Sequence, residues 1–262
     1  MKFWENYLEP VKYTDDIYHV GSFGGPCWAI KSTDGLILLD TAMPQHLYQI
    51  VINLYKIGFD VKDVKHIIHS HGHIDHIGGT RPIAEMTGAK TYISRADAPT
   101  VMGENDLQWA TQFNIPFEVP FTPDVLVDDG DKITIGDKTF EFFSCPGHTI
   151  GTMSIFFNCT DNGKTYRAGT FGGGGLNTMS KTYMDRYNID YSIRQKFIDS
   201  LDKMMNADVQ VHLGNHLGDN QHKEKLARLG GKTNPFLDGS SWNWFLEKRK
   251  AEAIAKFSED PV

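Results

Sequence analysis

A chain of 262 residues with 40% hydrophobic and 23% charged residues has ordinary globular composition, not that of a disordered chain, and enough length to bury a large core. The formal charge of −7 and the absence of any cationic run longer than Lys248-Arg249-Lys250 argue against a phosphate-backbone binder, so no nucleic-acid partner is expected. No apolar stretch approaches the roughly 20 residues that span a bilayer, so no membrane partner is expected either.

In chain order, the N-terminus mixes acids and aromatics without an apolar leader segment. The expected compartment is therefore the cytoplasm, or the periplasm or exterior if a leader has been removed. Apolar runs at 17–20, 27–30 and 36–39 read as strands, with Thr33-Asp34-Gly35 as a hairpin turn. Residues 44–57 carry Leu47, Ile50, Val51, Leu54 and Tyr55 at helical spacing, and Gly58 is a stop signal. A strand at 64–69 enters a histidine-rich stretch; 82–86 reads as helix and 90–93 as strand. Residues 105–123 form a long aromatic connection with Trp109, Phe113, Phe117 and Phe121. Strands are expected at 132–135, 139–144, 153–157 and 209–213, and helices at 191–205 and 241–257. No repeat or linker divides the chain, which reads as one domain over 1–262. Cys27, Cys145 and Cys159 are odd in number and lack C-x-x-C spacing, as expected of inert thiols rather than a disulfide framework.

The stretch His69-Ser-His-Gly-His-Ile-Asp-His76 packs four histidines and one aspartate into eight residues. A lone histidine is usually a structural residue, and that reading would have to hold several times within one loop. His71, His73, Asp75 and His76 follow H-x-H-x-D-H, in which a strand-end loop brings side chains together. Neutral imidazoles are preferred zinc ligands and a carboxylate is an accepted companion. The chain supplies two further strand-end histidines, His148 within Pro-Gly-His-Thr and His216 within Leu-Gly-Asn-His. His19, His46, His66, His69, His212 and His222 have no such pattern and are expected to be structural or solvent-facing.

These motifs resemble the metallo-β-lactamase superfamily, as do Leu38-Leu39-Asp40-Thr41 and Asp128-Asp129-Gly130-Asp131. The resemblance implies an α+β fold, a four-layer αβ/βα sandwich of two mixed sheets with ligands gathered at one edge. It implies two zinc ions, one on His71, His73 and His148 and the other on Asp75, His76 and His216. Histidine and carboxylate donors also suit iron. Asp40 would support the histidine loop from behind. By the same resemblance the reaction is hydrolysis by a metal-bound hydroxide that Asp75 orients, without a protein nucleophile.

Glyoxalase II-like thioesterases and lactonases of this superfamily carry a bridging Asp where this chain has Gly169 or Thr170. The ligand set without that bridge resembles subclass B3 metallo-β-lactamases, which place a Ser near the Thr170 position. Lys223–Arg228, Gly230-Gly231 and Asn234-Pro235-Phe236 resemble subclass B3 as well. The implied activity is opening of β-lactam amide bonds in the manner that confers antibiotic resistance, with Asp75 and Thr170 in catalytic roles. The alternative is a hydrolase of a lactone, thioester or other ester; a nuclease and a structural metal site rank lower. Two departures from subclass B3 weigh toward the alternative: the leader is not seen, and Gly172 replaces a hydroxyl that would hold a substrate carboxylate. The glycines at 172–175 either present backbone N–H groups to an anion or form a loop without contacts. Phe23, Trp28 and one or two aromatics of 105–121 are candidate substrate walls, while the other aromatics pin the connection. The partner is a small-molecule substrate, and the chain a monomer or small homo-oligomer.

Overall fold

A computed structural model of the chain describes residues 7–262. One sheet has strands β1 (Val11–Lys12), β2 (Ile17–His19), β3 (Trp28–Ser32), β4 (Gly35–Leu39), β5 (Val64–Ile68), β6 (Lys90–Ser94) and β7 (Val125–Val127) side by side in that order. The first three pairings are antiparallel and the remaining three parallel. The second sheet runs β12 (Val211–His212), β11 (Lys164–Thr170), β10 (Met153–Asp161), β9 (Lys138–Ser144) and β8 (Lys132–Ile135), with only β11–β12 parallel. Helices are α1 (Leu47–Lys56), α2 (Ile74–Ile77), α3 (Thr80–Thr87), α4 (Ala98–Val101), α5 (Ala110–Phe113), α6 (Lys181–Tyr187), α7 (Ile193–Met204), α8 (His222–Leu226) and α9 (Ser240–Glu259). Among the described residues no helix is long and apolar enough to cross a membrane.

Alternation along the strands makes the layers. Trp28, Ile30, Ile37 and Leu39 of the first sheet join Phe140, Phe142, Met153, Ile155 and Phe157 of the second in one buried cluster. The intervening residues Ala29, Leu36 and Leu38 face the other way, onto Ile50 and Leu54 of α1 and Ile83 of α3. Phe156 likewise faces Phe197 and Leu201 of α7 and Trp242 and Leu246 of α9. A two-residue side-chain period thus buries both faces of each sheet, giving the helix–sheet–sheet–helix sandwich that the resemblance implies.

Elements with clear apolar periodicity lie close to their expected bounds. The helix expected at 44–57 begins as a short 3-10 turn at Pro44–His46 before α1. Strands β1, β7 and β11 and helices α2, α4, α5, α6 and α8 were not among the expected elements. Lys164–Thr170 contains no apolar run; it becomes a strand because β10 pairs with it over seven residues.

Three histidines outside the ligand motifs are packing residues whose burial couples stability to pH. His19 is fully buried against Trp28, and burial holds its pKa down at about 3. His212 lies against Trp242, also at about 3, and His222 is lowered to about 4. In each case the folded pKa lies below the ordinary value, so the unfolded chain takes up more protons. Their contribution is complete above about pH 6.5 and is lost as pH falls towards the folded values, at about 1.4 kcal/mol per pH unit and group. The difference in unfolding free energy between the protein and its His19→Phe variant is therefore expected to change with pH between 6.5 and 4. Parallel pH profiles for the two proteins would show that His19 does not titrate on unfolding.

Candidate metal centre

The histidine loop follows from how β5 ends. Beyond Ile68 the chain leaves the sheet, and His69 N donates to Tyr92 O of β6 at 3.0 Å. Ser70 O then accepts from Met153 N at 2.9 Å, tying the loop to β10 of the second sheet. His73 begins α2, whose single turn carries Asp75 and His76. His148 follows β9, and His216 lies in the loop after β12, so both sheets deliver ligands to one edge.

There the donors converge. Single ligand atoms from His71, His73 and His148 lie within 4.8 Å of one another, as do those from His71, Asp75 and His76. His73 Nδ1 and His148 Nε2 face each other at 2.9 Å. His216 stands at the rim with its side chain 43% exposed, its Nε2 3.6 Å from Asp75 Oδ2. The other histidines are held elsewhere: His46 on Ser22, His66 on Tyr92 and His69 on Thr80.

The His71, His76 and His148 rings are each turned by a neighbour. His148 Nδ1 donates to Gly175 O at 2.9 Å, which leaves the Nε2 lone pair facing His73. His76 Nδ1 donates to Asp40 Oδ2 at 2.8 Å. The Nε2 atoms of His71 and His76 are buried with no hydrogen-bond partner. Buried polar atoms are nearly always paired, and orphaned imidazole nitrogens converging on a carboxylate fit a metal ion.

The electrostatics agree. Burial, reinforced by neighbouring imidazoles, holds His71 and His73 well below the ordinary histidine range, and burial lowers His148 to about 4. Burial opposes charge on His76 too, but Asp75 and Asp40 outweigh it and raise the group to about 10. The two carboxylates thus favour positive charge at this point of the cluster, which a metal ion would also supply. Asp40 is itself buried and lowered to about 2, because His76 and His69 outweigh the cost of burial. It accepts from Ser70 N at 2.9 Å and Ser70 Oγ at 2.7 Å, and occupies the left-handed region at φ 60, which Asp tolerates better than most residues. Asp40 therefore supports the loop through Ser70 and His76.

Asp97 was not singled out in the sequence. It is buried, and its Oδ2 accepts from Gly72 N at 2.8 Å and Thr149 Oγ1 at 2.7 Å, while Oδ1 accepts from Gly151 N at 2.9 Å. One carboxylate thus fastens the His71–His73 loop to the His148 loop. Its only local signal, an Asp ahead of Ala98-Pro99, reads as a helix start. Asp97→Ala leaves Gly72 N and Gly151 N without this acceptor, so affinity for the first metal ion is expected to fall roughly 10- to 100-fold. Metal titration checks this, and unchanged affinity would show that the loops hold their register alone.

Three expected roles need correction. Trp28 is not a substrate wall: it is buried edge-on to Tyr13, with ring centroids 4.7 Å apart. Gly172 does not face the cleft: a Cβ there would stand 2.0 Å from Met153 O. Gly172→Ser is therefore expected to lower stability by about 1–3 kcal/mol through overpacking, read as a lower denaturation midpoint, rather than to improve substrate handling. Thr170 is buried at the end of β11, outside the cleft lining, so its geometry lends no support to a catalytic role.

The glycine run is not a loop without contacts. A Cβ at Gly173 would lie 2.6 Å from His148 Cδ2, and one at Gly175 2.6 Å from His148 Cε1. Gly174 abuts the Phe245 ring in the same way. The chain wraps the His148 imidazole so closely that side chains are excluded on both sides.

The donors open into a cleft of about 700 Å³ lined by Phe23, Trp109, Phe113, Gln112 and Asn177 beside His73, Asp75, His148 and His216. Phe23 is 66% exposed and Phe113 46%. Trp109 stands edge-on to His73 and stacks on Tyr183. Phe117 and Phe121 instead pack against the buried Ile77–Ile93–Val101 cluster, pinning the aromatic connection. Among the described residues no Lys or Arg lines the cleft.

Comparison with known proteins agrees with this architecture. The solved structure of BJP-1, a subclass B3 metallo-β-lactamase of Bradyrhizobium japonicum, is similar with a TM-score of 0.89 and 29% identity, over 99% of this chain and 97% of that one. Native FEZ-1 metallo-β-lactamase from Legionella gormanii gives 0.87 and 25%, over 97% of each chain. Among curated proteins, the probable metallo-hydrolase YflN of Bacillus subtilis is 30% identical over 51% of this chain and 54% of its own length. A hydroxyacylglutathione hydrolase of Maricaulis maris is 34% identical over 34% of this chain and 27% of its own length. The first curated relatives are thus matched over between 27% and 55% of their lengths. Residues 20–211 match the sequence profile of the metallo-β-lactamase superfamily, and the chain belongs to that family.

Proposed function

We propose that this protein is a binuclear metallohydrolase of small acyl substrates, opening β-lactam amides in the manner of subclass B3. The observation that carries the metal reading is the pair of orphaned, buried Nε2 atoms of His71 and His76 within a converging donor set. In this reading His71, His73 and His148 hold one ion and Asp75, His76 and His216 the other, with zinc the expected metal and iron the alternative. Two ions held there supply Lewis acidity toward a carbonyl and a lowered pKa for the attacking water. The chain's own residues do the rest. Asp75 is a ligand at the cleft floor that orients the water. Gly175 O and Asp40 fix the tautomers of His148 and His76. Phe23, Trp109 and Phe113 grip the apolar body of the substrate and exclude water around it.

A second reading is an ester, lactone or thioester as substrate, and one observation favours it. β-Lactam antibiotics carry an anionic group, and among the described residues the cleft lining offers no Lys or Arg to receive it; apart from the histidines and the Trp109 indole, its side-chain donors are the amides of Gln112 and Asn177. Turnover of a chromogenic cephalosporin by the zinc-loaded protein decides between the two. Chelator-sensitive hydrolysis with a kcat of about 1 s⁻¹ or more supports the first reading. Hydrolysis at background, beside chelator-sensitive cleavage of a p-nitrophenyl ester, transfers the assignment to the second.

A further inference from the structure

His73 and His148 are walls of two spaces, the open cleft and a smaller chamber of about 90 Å³. Leu107, Ile150, Ile189, Ile193 and Tyr183 give the chamber an apolar lining. Thr178 also lines it, and its hydroxyl oxygen is buried without a hydrogen-bond partner. Asp97 reaches the chamber too, but both its oxygens are already occupied by Gly72, Thr149 and Gly151.

We infer that this chamber receives the acyl side chain of the substrate, a short, largely apolar group bearing one hydroxyl or oxo oxygen for Thr178. Three observations point the same way. The chamber shares His73 and His148 with the cleft, so it lies directly against the candidate metal centre. Leu107, Ile150, Ile189 and Ile193 give one part of the chamber an aliphatic surface, which favours carbon over water there. The unpaired Thr178 hydroxyl marks a place where an oxygen on the group is wanted, since a buried hydroxyl left alone is costly. An engineered cavity of about 150 Å³ takes benzene, so 90 Å³ takes roughly three to four carbon atoms. The inference rests on the hydrolase reading above and adds to it the size and polarity of the acyl group.

The test compares p-nitrophenyl esters from acetate to octanoate, together with the 3-hydroxybutyrate ester, on the metal-loaded protein. The expected kcat/KM peaks at about four carbons and is highest for 3-hydroxybutyrate. Leu107→Phe, which fills the chamber, is expected to move the peak to acetate with at least a tenfold loss for butyrate. Ile193→Ala moves the peak to longer chains, and Thr178→Val removes the preference for the hydroxylated ester while sparing butyrate. Binding of 3-hydroxybutyramide, followed by saturation-transfer NMR, separates the chamber from catalysis. If no ester or cephalosporin is cleaved but the amide binds and Leu107→Phe weakens it at least fivefold, the chamber stands and the hydrolase reading fails. A length profile that is flat, or unmoved by both Leu107→Phe and Ile193→Ala, overturns the inference, as does amide binding that the filled chamber leaves unchanged.

Discussion

Asp75→Ala is expected to reduce bound metal from two ions per chain towards one and to lower hydrolysis by roughly two to three orders of magnitude. Among the described residues the carboxylate is the one acidic group lining the cleft, and its Oδ2 stands 3.5 Å from His76 Nε2 and 3.6 Å from His216 Nε2. Without it, His76 keeps Asp40 as an anionic neighbour, and His216 at the exposed rim keeps Asp40 and Asp219, the latter accepting from its backbone N at 3.1 Å. The three-histidine group stays intact, because His148 is held by Gly175 and His71 lies against Ser70. The fold is expected to survive, since Asp75 lies at the cleft floor rather than in either sheet interface. Metal content by mass spectrometry, read beside steady-state kinetics, checks both parts. A variant with two ions and full turnover would remove Asp75 from the site.

Gly173→Ala carries the second large effect, and it acts through shape alone. The added methyl would meet the His148 ring at 2.6 Å, closer than real Cβ contacts come. The ring cannot retreat freely, because Gly175 closes its other side and Gly175 O holds Nδ1. His148 therefore leaves the three-histidine group, and affinity for that ion is expected to fall at least 100-fold, with activity following. Gly218→Ala in the same cleft provides the control, because a Cβ there meets nothing within 4 Å. Zinc titration of the two variants distinguishes a steric effect on His148 from a general intolerance of change in the cleft. Equal affinities would contradict the account of the glycine run.

The proposed ligands were legible because their chemistry is local: H-x-H-x-D-H places four donors on one loop, and His148 and His216 each follow a strand. The layers were legible because strands such as Trp28–Ser32 and Gly35–Leu39 alternate between two buried faces. What stayed hidden depends on contacts distant in sequence. Asp97 bridges loops centred near residues 72 and 150, and nothing beside it in the chain announces those partners. Gly172 looked like a missing hydroxyl in a binding loop, yet its place is against the Met153 carbonyl. Trp28 has the composition of a substrate wall but a strand register that turns it onto Tyr13 between the sheets. Lys164–Thr170 reads as polar loop and becomes a strand through its pairing with β10 and β12. In each case tertiary pairing overrode the local signal.

The central claim is that the buried imidazoles and Asp75 form a two-ion centre. Titration of the chelator-stripped protein with zinc, followed by calorimetry and by the NMR signals of the histidine rings, tests it most directly. The account predicts two ions per chain, with His71, His73, His76, His148 and His216 perturbed and His19, His212 and His222 unmoved. Saturation without stoichiometric binding, or perturbation confined to other histidines, would contradict it.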